Sequence, residues 1–183
     1  MEFKITLRHI LNILLILSWI IFIGICIEAG GFILNAIFAL VKPGAVKQLW
    51  QQVDLSALFR YDKGHFFAIT LIMSIVAILK ATMFYQIIRI LHRKDLDLAL
   101  PFSKTVQRFI VVLACLALMI GFFCSYGINY TGWLVQKGVT FPDTQYLRFG
   151  GSDVWYFMAV VLFVISQLFK RGIEIQSENE LTI

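Results

Sequence analysis

A chain of 183 residues with 60% hydrophobic and 15% charged residues, and a mean hydropathy of +0.83, is far more apolar than a water-soluble domain, in which about a quarter of residues are charged. That composition excludes a large soluble domain. The formal charge of +5 is modest and scattered, which argues against the large basic face that direct nucleic-acid binding requires.

Four apolar runs dominate the sequence: residues 5–27, 66–91, 109–130 and 154–173. A bilayer core of about 30 Å is crossed by about 20 mostly apolar residues in a helix. The expected fold is therefore an all-α, four-transmembrane-helix bundle forming a single membrane domain. The last run reaches full length only by continuing past Lys170 and Arg171, whose long stems carry charge back to the headgroups.

In chain order, the first run lacks a small-residue cleavage site and exceeds a signal-peptide core, so it is expected to be retained as a signal anchor. Directly after Glu28, the pair Gly30-Gly31 is expected to break or bend this helix, because an unbroken helix to residue 41 would be about 55 Å long. Residues 32–65 then form an outer loop. Within it Val46, Leu49, Trp50 and Val53 recur with the spacing of an amphipathic helix resting on the outer leaflet or on the other outer loop.

The second run is interrupted by Lys80. An intramembrane lysine either snorkels to the headgroups or serves inside as a counter-ion for an anionic ligand or for Glu28, which lies too far toward the outer surface for an easy pairing. Residues 92–108 form a basic inner loop. In the third run Ala117, Gly121 and Ser125 recur every four residues, a stripe that lets helix backbones approach closely.

The second outer loop, 131–153, mixes Trp133, Phe141, Tyr146 and Phe149 with glycines and Pro142, and turns with one hairpin are expected there. Its aromatics are read first as interfacial anchors. The tail, 174–183, is acidic through Glu174, Glu178 and Glu180.

With both termini cytoplasmic, the inside carries nine Lys and Arg near span ends and the outside six, five of the nine lying around residues 92–107. The positive-inside bias favours that orientation. No catalytic constellation is legible: His9, His65 and His92 sit at separate membrane boundaries, and no serine has a nucleophile-elbow context. The cysteines Cys26, Cys115 and Cys124 lie in or beside apolar runs, where a thiol acts as a small hydrophobe. The expectation is no enzyme, no cofactor and no metal.

Two motifs resemble the bacterial four-helix membrane proteins grouped as domain of unknown function 2975. One is Leu100-Pro101-Phe102-Ser103 at the start of the third helix, where Pro101 suits a first turn. The other is Phe169-Lys170-Arg171-Gly172-Ile173-Glu174-Ile175-Gln176, followed by Glu178-Asn179-Glu180-Leu181-Thr182-Ile183. The resemblance implies a bacterial inner-membrane protein, often encoded beside a small helix-turn-helix regulator, with no established activity.

Three functions compete. The first is a membrane regulator or sensor that holds a cytoplasmic helix-turn-helix partner through Arg93, Lys94, Pro101, Phe102, Arg171, Glu174, Gln176, Glu178 and Glu180. The second is a small transporter or channel component built on Lys80 and the polar groups Asn12, Ser74, Thr82 and Gln86. The third is a structural accessory subunit of a membrane complex. The small-residue stripe is compatible with a homo-oligomer as well as with packing inside one bundle.

Overall fold

The computed structural model describes residues 7–41, 53–92, 102–142 and 146–180. Five helices follow in order: α1 (Leu7–Val41), the short α2 (Ser56–Tyr61), α3 (Lys63–Leu91), α4 (Lys104–Gln136) and α5 (Ser152–Glu180). Four of them, all but α2, are long and apolar enough to cross a membrane. Among the described residues there is no strand, so the hairpin expected in the second outer loop does not form.

The local sequence explains most boundaries. Asp62 starts α3 by accepting a hydrogen bond from the His65 backbone N–H at 2.9 Å, and Ser103 starts α4 by accepting one from Val106 N–H at 3.2 Å. Each satisfies a donor that a first helical turn leaves unpaired. At the far end of α4, Gly138 takes φ +88°. There Val139 N–H bonds the Leu134 carbonyl and Gly138 N–H that of Val135, the paired closure of a Schellman motif. Helical structure thus continues six residues past the expected end at Tyr130.

The expected break at Gly30-Gly31 is absent, and α1 runs through the pair for 35 residues. A glycine inside a helix costs only about 1 kcal/mol relative to alanine. Opening a turn in an apolar solvent strands backbone groups at several kcal/mol each, so the helix is the cheaper solution. Residues 32–41 are therefore helical, and Phe32 and Ala39 are buried in the core instead of belonging to an outer loop. The amphipathic segment falls outside the described residues except for Val53, which is buried.

Packing follows the chain: α1 lies against α3, α3 against α4 and α4 against α5, with α2 resting on α3. The core between them holds Leu58 of α2, Phe66, Ile69 and Val76 of α3, Ala117 and Ile120 of α4, and two loop residues, Leu147 and Phe149. The flanking helices keep broad apolar faces outward, such as Ile13, Ile16 and Ile20 on α1 and Phe157, Val160 and Val164 on α5. In water those faces would be a liability; in lipid they are the expected contact with acyl chains.

Of the small-residue stripe, Ala117 and Gly121 are buried and Ser125 is half-buried. A Cβ on Gly121 would come within 3.1 Å of the Tyr156 ring, so this face of α4 receives α5. Hydroxyls within the helices are satisfied locally: Thr70 donates to the Phe66 carbonyl, Ser74 to that of Thr70 and Thr82 to that of Ile78, each at 2.8 Å.

Candidate functional site

Among the described residues, polar groups from several elements converge where a loop turns back into the bundle. After α4, the turn 146–148 places Arg148 at φ +59°, a left-handed conformation that costs a side-chain-bearing residue roughly 1–2 kcal/mol. The turn is held by its neighbours: Leu147 and Phe149 are both fully buried. Phe149 lies so close to α4 that a Cβ on Gly127 would sit 2.9 Å from its ring, so the absence of a side chain at Gly127 makes the seat. Gly151, at φ +76°, then turns the chain into α5, and its carbonyl accepts the Trp155 N–H.

Arg148, held this way, joins three helices directly and a fourth through Lys80. Its Nε donates to Glu28 Oε1 of α1 at 2.6 Å. Its carbonyl oxygen accepts from Lys80 Nζ of α3 at 3.4 Å and from Cys124 Sγ of α4 at 4.0 Å. Lys80 Nζ also lies 5.7 Å from the centre of the Trp155 ring of α5, a cation–π distance. Cys124 stands about three turns in from the Gln136 end of α4, so the loop reaches well below the helix ends.

The distance expected to separate Glu28 from Lys80 is bridged by a third charge: Glu28 pairs with Arg148, and Lys80 meets the Arg148 main chain. The ion pair is unequally sheltered, with Arg148 51% and Glu28 20% exposed. A charge in this layer is costly unless partnered, and here a carboxylate, a guanidinium and a carbonyl dipole partner one another.

Near the start of α3 and the end of α4, His65 forms a second cluster. Its Nδ1 is 2.6 Å from the Tyr130 hydroxyl, and its ring meets those of Tyr61, Tyr130 and Trp133. Tyr130 stacks between Tyr126 and Trp133, and Lys137 Nζ lies over Trp133. Aromatic rings with polar tips gather at membrane–water boundaries, and this belt marks one for the α4–α5 end.

The opposite end holds the described members of the candidate partner-binding set, Phe102, Arg171, Glu174, Gln176 and Glu178. Phe102, just ahead of α4, meets Phe169 edge-on at 5.4 Å and lies over Gly172, where a Cβ would come within 2.5 Å of its ring. The two motifs of the sequence therefore touch in space. One turn further, Arg171 pairs with Glu174 at 3.1 Å across the helix surface. Gln176 is half-buried and Glu178 exposed on the same helix, which continues to Glu180, seven residues past the expected end of the fourth span at residue 173. Arg93, Lys94, Pro101 and the Glu180 side chain lie outside what is described.

The sequence reading counted Arg148 only among the outside charges, took Cys124 only as a small hydrophobe and did not single out Trp155. A signal was present in Leu147-Arg148-Phe149-Gly150-Gly151, where two apolar residues flank a charge and two glycines follow. That pattern marks a loop with buried ends and a sharp exit. No group of three potential metal-ligating side chains occurs among the described residues.

This geometry defines an all-helical, multi-pass membrane protein whose polar junction is internal and whose two family-like motifs meet at one end. The family model described as "Protein of unknown function (DUF2975)" matches residues 39–183, well over half of the chain, and the protein belongs to that family. The match leaves out most of α1, including Glu28, and includes Lys80, Arg148 and the Phe102–Gly172 contact. No curated protein and no solved structure matches the chain.

Proposed function

We propose that this protein is a non-enzymatic membrane regulator or sensor of a bacterial inner membrane, with both termini cytoplasmic, acting on a small helix-turn-helix partner and not on nucleic acid itself. The observation that carries this reading is the seating of Phe102 on Phe169 and Gly172, which unites the α3–α4 loop and the end of α5 in one surface. A partner touching that surface reads the position of α5 relative to α4. At the other end of α5, Trp155 lies at the Arg148 junction, so a displaced loop biases the same helix. Such a shift of one packed helix is an established kind of two-state element.

Capture of the helix-turn-helix protein encoded nearby, using detergent-solubilised full-length chain, tests the reading. Full-length protein is expected to retain the regulator and a chain ending at Gly172 to lose it; equal capture would remove the tail from the proposal. Labelling of Ser103→Cys and Ser177→Cys, with the native cysteines replaced, is expected to place both on the cytoplasmic side. Labels on opposite sides would end the idea of a shared docking surface. The transporter reading has less support, because Ser74 and Thr82 bond within their own helix instead of lining a path. Liposome flux that is equal for wild type and Lys80→Leu would count against it further.

A further inference from the structure

Between the end of α3 and the start of α4 lies a crevice of about 270 Å³ that the reading above does not use. Its polar wall is made by Gln86 and Arg89 of α3 and by Lys104, Thr105 and Arg108 of α4. Its deeper wall is apolar, formed by Ile90, Phe109 and Val112. Thr105, Arg108, Phe109 and Val112 follow one another at i, i+3, i+4 and i+7, so a single face of α4 presents donors near the helix end and hydrocarbon further in.

Three cations from two helices thus face one cavity. The ion pairs of Glu28 with Arg148 and of Glu174 with Arg171 engage none of them, and among the described residues no carboxylate neutralises the cavity. Two guanidinium forks, one ammonium, a hydroxyl and an amide form a donor set suited to the non-bridging oxygens of a phosphate. An apolar wall beneath the donors, at the last turn of one membrane span and the first of the next, suits a molecule with a phosphate above and hydrocarbon below.

We propose that this crevice is a binding site for a phosphate group, of the kind carried by an anionic phospholipid headgroup in the leaflet at the α3–α4 end or present as free phosphate. It holds without the partner reading, since none of its residues belongs to the Phe102–Gly172 contact. A ligand bridging Arg89 to Lys104 and Arg108 would clamp α3 against α4.

The test is native mass spectrometry and thermal unfolding of the full chain in detergent. The probes are phosphatidylglycerol, phosphatidylcholine and inorganic phosphate, each added separately. Retention of phosphatidylglycerol over phosphatidylcholine is expected, with affinity falling about tenfold or more in Arg89→Gln/Arg108→Gln. Val112→Phe, which keeps every charge and fills the apolar wall, is expected to weaken the lipid as well. Stabilisation by inorganic phosphate alone, lost in the same double variant and unaffected by Val112→Phe, would support the phosphate site and assign it to the soluble ion. Arg60→Gln, at the opposite end of the bundle, is the control and is expected to change nothing. Equal retention of both lipids with no response to phosphate, or responses to phosphatidylglycerol and phosphate that the double variant leaves intact, would overturn the site.

Discussion

The two ends of the bundle are built on opposite principles. At the α4–α5 end a loop enters the core, filling it with Leu147 and Phe149 and knotting its main chain and guanidinium to Lys80, Cys124 and Glu28. At the α3–α4 end the described contacts are lighter: one aromatic ring on a glycine, an exposed Arg171–Glu174 pair and a basic crevice. A tightly packed end and a lightly fastened end on the same helices is what the proposed regulator would use, receiving at one face and presenting at the other. Rigid packing transmits a displacement, and weak contacts allow it to be read.

Substitutions at four positions break or sharpen that contrast. The largest effect is expected from Phe149→Ala, which empties a fully buried seat beside Gly127 and should lower unfolding free energy by about 3–5 kcal/mol in a detergent denaturation series. Next, Glu28→Gln removes the carboxylate from a half-sheltered ion pair; a loss of about 1–2 kcal/mol by the same measurement lies between exposed and buried cases. Third, Arg148→Gly and Arg148→Ala both lose the pair, but only glycine accepts φ +59° without strain. The glycine variant should be the more stable by about 1 kcal/mol, read as a higher midpoint. Smallest, Gly172→Ala forces Phe102 off α5 yet should cost less than about 1 kcal/mol, because Phe102 is 41% exposed and can move aside. Its signature would be faster amide exchange at the start of α4 with no change at residues 146–151.

The sequence was most legible where the physics is one-dimensional. Four apolar runs gave the four spans, because bilayer thickness sets helix length whatever the packing. Ser103 closes the motif read as the entry to the third helix and proves to be its N-cap, whereas the Asp62 cap of α3 was not read from the sequence. The Gly30-Gly31 pair misled, since glycine's weak helix propensity is a lesson from water, whereas in lipid the backbone has no alternative to its own hydrogen bonds.

The junction was hidden for a different reason. Glu28, Lys80 and Arg148 come from parts of the chain 52 and 68 residues apart, and their association depends on a turn whose left-handed residue is an arginine instead of the glycine that pattern reading seeks. Lys80 was visible as an anomaly, but its partner was a main-chain oxygen, which no side-chain pattern advertises. The meeting of the Phe102 and Gly172 motifs was likewise beyond reach, although Gly172 between Arg171 and Ile173 was a visible oddity in a helical stretch.

A double-mutant cycle on Glu28→Gln and Arg148→Gln, followed by unfolding of the full chain in detergent, tests most directly whether the α4–α5 loop is fastened to α1. The structure leads us to expect a coupling of about 1 kcal/mol or more, the two losses together being smaller than their sum. Losses that add without remainder would mean that the two side chains do not meet, and the account of a locked end would be wrong.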